Sequence, residues 1–107
     1  MRFEIVLAPT AIKGLRNLGA GIRSRVRDAI ELHLRHEPRR LSKSRIKRLR
    51  GLDRPQYRLR VDEVRVFYDV TEESVEVLAI VSKAEAAAWL AEEATPGTPS
   101  GPGQGEG

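Results

Sequence analysis

Arg58, Arg60 and Arg65 alternate with apolar residues in Tyr57-Arg58-Leu59-Arg60-Val61 and Val64-Arg65-Val66-Phe67-Tyr68. A guanidinium is a planar fork whose paired donors match phosphate oxygens. Three such groups on one surface repel each other unless an anion or a carboxylate comes between them. Fixed in place, they stabilise charge developing on a phosphate, and the neighbouring Phe67 offers a ring for stacking on a base. The candidate chemistry is therefore a phosphate clamp. The opposing expectation is a solvated outer face of a sheet, neutralised locally by Asp69 and Glu63.

The surrounding charge supports the clamp. From Arg39 to Arg60 ten Arg or Lys residues face one acid, Asp53, and from Asp62 to Glu93 nine acids face only Arg65 and Lys83. A net charge of +4 thus hides a dipole. A basic lobe of this density repels itself, and a polyanionic partner relieves that repulsion. Arg45, Lys47, Arg48 and Arg50 extend the expected nucleic-acid-binding surface. Histidine adds little: His33 borders the apolar stripe of a helix and His36 sits near its C-terminal end, where an imidazolium favours the helix dipole. The chain has no cysteine, which excludes disulfides, thiolate metal sites and cysteine nucleophiles. Neither a signal peptide nor an apolar run of about 20 residues is evident, so a cytoplasmic protein with no membrane role is expected.

Elements able to position the arginines follow from periodicity. The 107 residues, 40% of them hydrophobic, allow one modest core. Phe3, Ile5 and Leu7 alternate as in a half-buried strand, and Pro9 suits the first turn of a helix. Ile12, Leu15 and Leu18 keep helical spacing despite Gly14, and Gly19 with Gly21 break it. From Ile22, Val26, Ala29, Ile30 and Leu34 form a second apolar stripe ending near Pro38. Residues 39–50 read as a loop entering a short strand near Lys47 to Arg50, and Gly51 to Pro55 as a turn-rich connection. Ser74 to Val81 becomes apolar on both faces, as an interior strand does. Ala84 to Ala94 reads as a final helix with Trp89 and Leu90 as its large apolar residues. Residues 1–94 form the expected domain. Thr95 to Gly107 contains five glycines and three prolines and is expected as a disordered tail.

Register follows from alternation. A two-residue loop at Asp62-Glu63, or a four-residue loop centred there, pairs Val61 with Val64, Arg60 with Arg65, Leu59 with Val66 and Arg58 with Phe67. Tyr57 and Tyr68 then point inward. A three-residue loop would bury a guanidinium among valines, at a cost of several kcal/mol, roughly.

The order strand, two helices, basic segment, hairpin, strand, helix, with its run "LRGL…YRLRV…VRVFYDV…VEVLAIVSK", resembles the RelE/ParE superfamily of toxin components. The likeness covers Arg2 to about Glu93. It implies an α+β fold: a small antiparallel-rich sheet of four to five strands with an N-terminal helical hairpin and a C-terminal helix, β-α-α-β-β-β-α. In the RelE branch it implies metal-independent cleavage of mRNA on the ribosome, with no cofactor. The family's basic pair falls on Arg58 and Arg60 and its arginine on Arg65. Lys83 takes the place of a further basic residue and Trp89 that of a tyrosine on the last helix. A shift by one residue gives Ala84 and Leu90, which match neither role. The expected catalytic set is thus Arg58, Arg60, Arg65 and Lys83, with Phe67 and Trp89 stacking on RNA bases. No tyrosine hydroxyl stands on the final helix.

The resemblance also implies a cognate antitoxin, expected to lay an acidic or amphipathic segment across the basic surface. Two other functions compete with mRNA cleavage. One is ParE-like inhibition of DNA gyrase, which needs no catalytic constellation. The other is a non-toxic nucleic-acid-binding module using only the basic lobe.

Overall fold

A computed structural model describes residues 1–97 of the chain. Strand β1 (Glu4–Leu7) leads into helices α1 (Pro9–Arg16) and α2 (Ala20–Leu34). Strands β2 (Ile46–Arg48), β3 (Leu52–Arg54), β4 (Tyr57–Val61), β5 (Val64–Val70) and β6 (Ser74–Ser82) follow. Helix α3 (Lys83–Glu93) and a short strand β7 (Thr95–Pro96) complete the described chain.

Local chemistry sets the helix starts. Ala8 is extended and Pro9 opens α1, where its missing N–H leaves nothing unsatisfied. Gly19 is the extended cap of α2. Ser82 caps α3, its Oγ accepting the Glu85 N–H at 3.1 Å. Ser82 and Glu85 have the spacing of a capping box.

The main sheet has the order β1-β6-β5-β4-β2, with β1 parallel to β6 and every other pair antiparallel. Strand β6 is interior, as its two-sided apolar sequence requires. The β4–β5 register matches the alternation: Val61 faces Val64, Arg60 faces Arg65, Leu59 faces Val66 and Arg58 faces Phe67. Asp62 closes the turn with a φ of 51°, a left-handed conformation that aspartate tolerates better than most residues. This is how the hairpin forms without a glycine.

Helices α1 and α2 cover one side of the sheet, α1 over β6 and α2 against β4. Leu15, Val26, Ile30 and Leu34 meet Leu59, Val66, Tyr68, Val75 and Val77 in one buried cluster. The rings of Tyr57 and Tyr68 stack at 5.4 Å, and the Tyr68 hydroxyl donates to the buried Pro38 carbonyl at 2.7 Å. Gly14, which weakens the helical pattern in sequence, has a packing reason. A Cβ there would collide with the Ile80 carbonyl oxygen, so only glycine lets α1 lie this close to β6.

The structure departs from the sequence reading in the basic segment and at the C-terminal boundary. The strand expected near Lys47 to Arg50 starts earlier, at Ile46, because Ile46 pairs with Leu59 and is buried with it. The expected turn at Gly51 to Pro55 contains β3. Its partner is β7, which pairs Leu52 with Pro96 and Arg54 with Thr95, and the Gly97 N–H donates to the Gly51 carbonyl at 2.8 Å. Thr95 to Gly97 are therefore ordered against the domain, where a tail was expected from Thr95. The rest of that expected tail, 98–107, lies outside the described residues.

Candidate nucleic-acid interface

Alternation along β4 and β5 sends every second side chain away from α1 and α2. Arg58, Arg60, Arg65 and Phe67 share that outer side, and Lys47 joins it opposite Arg58. Arg45 lies beside Arg60, whose N–H donates to the Arg45 carbonyl at 2.8 Å. Two basic rows thus cross the strands, Arg45 to Arg60 to Arg65 and Lys47 to Arg58, ending at Phe67.

The three arginines occupy different environments. Arg60 is exposed. Arg65 is buried, with 7% of its surface accessible, and its Nη1 donates to the carbonyls of Asp62 and Val64 at 2.9 and 3.1 Å. Arg58 is intermediate, and its buried Nε has no hydrogen-bond partner. Burial, then the charges of Arg65 and Arg60, push the Arg58 pKa below the usual guanidinium value. Among the described residues no carboxylate lies within 4.0 Å of Arg45, Lys47, Arg58, Arg60 or Arg65.

Asp69 and Glu63, the acids expected to neutralise this side, and Asp62 in the turn are engaged elsewhere or unpaired with it. Asp62 pairs with Arg25 of α2 at 2.9 Å. Asp69, 8% exposed, accepts the Gln56 N–H at 2.7 Å and faces Arg54 Nε at 3.4 Å. Burial comes first among the causes that raise its pKa. Among the described residues Glu63 forms no ion pair, and its carbonyl accepts the Lys83 N–H at 2.7 Å. The basic rows are uncompensated, and the orphaned Arg58 Nε marks where a partner oxygen is lacking.

Several expected contact residues fall elsewhere. Phe67 is 1% exposed because the Trp89 ring stacks on it at 5.0 Å with 7° between planes. It anchors α3 to the sheet and has no open ring face for a nucleobase. Trp89 keeps part of its surface accessible. Arg48 pairs with Tyr57, so it belongs to the helix side of the sheet. Its guanidinium lies 5.3 Å from the Tyr57 ring centroid and donates to the Leu49 and Gln56 carbonyls. The expectation for Arg48 overlooked that parity on β2 separates it from Lys47. Arg50 is exposed in the turn after β2, and Lys83 is exposed at the start of α3 beside the hairpin turn. Sequence reasoning missed the clasp of Arg54, Asp69 and Glu76. Its one sequence sign was an acid in a strand whose other alternate residues are basic or aromatic. Among the described residues no group of acidic, histidine or cysteine side chains is arranged to hold a metal. No helix among them is long and apolar enough to cross a membrane.

With this geometry the sequence matches, over residues 5–87, the family described as the ParE toxin of the type II toxin–antitoxin system parDE. The chain belongs to that family. It is a toxin of the RelE/ParE superfamily, as the resemblance implied.

Solved structures carry the same fold. A mutant of the Escherichia coli toxin RelE in the free state superposes with a TM-score of 0.67 at 24% identity, covering 86% of this chain and 94% of that one. The archaeal RelE–RelB complex from Pyrococcus horikoshii gives 0.64 at 22% identity, covering 78% and 97%. The RelBE2 toxin–antitoxin complex from Mycobacterium tuberculosis gives 0.60 at 21%, covering 77% and 99%. No curated protein matches the toxin in sequence. The RelE-like arrangement expected from sequence is thus the observed one, with three helices and a five-stranded main sheet.

Proposed function

We propose that the toxin blocks translation by binding mRNA across the outer side of β4 and β5 and cleaving it on the ribosome, in the cytoplasm. One observation carries this reading: Arg58 and Arg60, backed by Arg65, stand on one surface with no carboxylate among them. In the reaction a ribose 2′-oxygen attacks the adjacent phosphorus and the bond to the 5′-oxygen breaks. The products are a cyclic phosphate and a free 5′-hydroxyl. The attacking hydroxyl loses its proton to water and the leaving oxygen takes one from water. Charge accumulates on the phosphorane, where preorganised guanidinium groups act most strongly.

Burial divides the roles. Arg60 contacts the phosphate backbone from solvent, and the half-buried Arg58 offers the accessible part of its guanidinium to the scissile group. Arg65 is tied to the turn carbonyls and contributes fixed charge and alignment. Lys83 supplies a supporting charge from the start of α3, and Arg45, Lys47 and Arg50 position flanking phosphates. Trp89 retains an edge for base contact, whereas Phe67 holds Trp89 in place. A cognate antitoxin silences this surface by covering it, in keeping with the complexes formed by structural neighbours.

The test is to map mRNA ends after brief induction. Wild type should leave cuts at ribosome-occupied codons, and Arg58→Ala or Arg60→Ala should leave none while remaining folded. Intact mRNA on translating ribosomes treated with folded wild type rejects the reading.

A second reading, inhibition of DNA gyrase without RNA cleavage, is favoured by the ParE match and by Trp89, which has no hydroxyl to move a proton. Induction of the DNA-damage response with intact mRNA selects it.

A further inference from the structure

Ser42 lies exposed in the segment between α2 and β2, outside any helix or strand. Arg39 and Arg40 stand three and two residues before it, Lys43 directly after it and Arg45 three residues on. Among the described residues Arg39, Lys43 and Arg45 have no carboxylate within 4.0 Å, and Arg40 pairs with Glu37 at 3.0 Å. A serine hydroxyl thus sits inside an excess of positive charge.

The segment folds around that hydroxyl. Ser42 Oγ accepts the Arg45 and Ile46 N–H groups at 2.9 and 3.1 Å, and the Ser42 N–H donates to the Ile46 carbonyl at 3.1 Å. Among the described residues Oγ donates to no acceptor, so no protein group holds its proton. Two backbone N–H groups aimed at one oxygen form an electropositive seat, which charged oxygens fill better than a neutral one.

There is room for a larger group. A cleft of about 290 Å³, bordered by Leu32 and Leu41, opens beside Ser42. His33 lines it, and its pKa is lowered first by burial and then by the Arg45 charge. Glu37 is the acid of the lining, and Arg40 holds it. The segment also joins the arginine surface, because the Arg45 carbonyl accepts the Arg60 N–H at 2.8 Å.

We propose that Ser42 is a phosphorylation site, and that its phosphate silences the RNA-binding surface from the Arg45 end. The proposal rests on the reading that this surface binds RNA. Arginines just ahead of a serine are a charge pattern by which kinases select substrates. In the transfer the Ser42 oxygen bonds to the γ-phosphorus of a nucleoside triphosphate and the bond from that phosphorus to its bridging oxygen breaks. The nucleoside diphosphate leaves, and the hydroxyl proton passes to the kinase's catalytic carboxylate. The product carries a charge of roughly −1.5 to −2 and three acceptor oxygens. These take the Arg45 and Ile46 N–H groups and the guanidinium groups of Arg40 and Arg45. Arg45 is then withdrawn from the phosphate path, and the fixed negative charge repels RNA from the end of the row.

The test treats the full, folded toxin with magnesium ATP and the catalytic subunit of cyclic-AMP-dependent protein kinase, which reads paired arginines ahead of serine. Mass spectrometry should place the phosphate on Ser42, and Ser42→Ala should take none. The modified toxin should bind single-stranded RNA more weakly by roughly tenfold or more, with a salt slope smaller by about one. Its His33 titration, followed by NMR, should move to higher pH, since a phosphate in the cleft favours the imidazolium. Phosphate on Ser44 alone, or none on the folded protein, overturns the site. Phosphorylated Ser42 with RNA affinity within twofold of the unmodified toxin overturns the silencing. If unmodified toxin fails to bind RNA, the RNA reading falls and takes the silencing with it. The seating of the phosphate is then decided by His33, and an unmoved titration overturns it.

Discussion

The two sides of the β4–β5 hairpin are made from the same twelve residues of strand, five and seven long, yet they are built on opposite principles. On the helix side Leu59, Val66 and Tyr68 are completely buried, and the Tyr68 hydroxyl donates to the Pro38 carbonyl. On the outer side Arg58, Arg60 and Arg65 have no carboxylate within 4.0 Å among the described residues, Asp69 being held by Arg54, and the Arg58 Nε is buried with no partner. The first side holds the fold together. The second stores unfavourable interactions that an anion relieves. Substitutions on the helix side should therefore cost stability, and those on the outer side should cost activity.

The largest stability effect belongs to Leu59→Ala. Removing this fully buried side chain should cost about 2 to 5 kcal/mol in urea unfolding, read as a lower midpoint with unchanged slope. Gly14→Ala should cost about 1 to 3 kcal/mol, because the new Cβ forces α1 away from the Ile80 carbonyl. A melt indistinguishable from wild type would show that α1 is not seated as described. Tyr68→Phe should cost about 1 kcal/mol by leaving the buried Pro38 carbonyl without its donor.

Tyr68 and His33 give the comparison a pH dependence. Burial raises the Tyr68 pKa well above its ordinary 10.0, with Tyr57 adding to the shift. Its stabilisation is full below pH 10 and is lost as pH rises through the higher folded value. Alkaline unfolding should therefore be steeper in wild type than in Tyr68→Phe. His33 is shifted the other way, below 6.5. Its contribution is full above pH 6.5 and is lost as pH falls through the folded value, a loss that His33→Gln should remove. Chemical denaturation across pH checks both signs.

The outer side should respond in the opposite sense. Arg58→Met removes a buried unpartnered nitrogen and should raise stability by about 0.5 to 1 kcal/mol while abolishing growth inhibition. Arg60→Ala, at an exposed position, should change stability by less than about 0.5 kcal/mol. It should lower RNA affinity at every sequence and reduce the salt slope by about one. An Arg60→Ala toxin with wild-type salt dependence would remove Arg60 from the phosphate path. Arg65→Ala is a poorer probe, since it also strips the Asp62 and Val64 carbonyls of their donor.

Much of the fold was legible because a period of two admits few registers. Burying Leu59 and Val66 together leaves Arg60 opposite Arg65 for a two-residue turn, and that is the observed pairing. The helix pair was legible from its helical spacing, and the interior position of β6 from a run apolar on both faces. The candidate site was legible less completely. Parity along β4 and β5 placed Arg58, Arg60 and Arg65 on one side, but in the short β2 nothing local separated Lys47 from Arg48. Their division followed only from Ile46 pairing with Leu59. Phe67 read as an open ring because its cover, Trp89, arrives from a helix whose own sequence has little amphipathic character.

The sequence by itself determined the strand alternation, the helix breaks, the basic and acidic halves and the family resemblance, all of which depend on neighbours a few residues apart or on simple order. Tertiary structure alone decided how exposed each arginine is, that β7 closes on β3, that Gly14 meets Ile80, and that Leu32 and Leu41 border one cleft. Those outcomes depend on surfaces brought together from distant parts of the chain. Burial and electrostatic coupling do not exist until that packing sets the distances and the local dielectric.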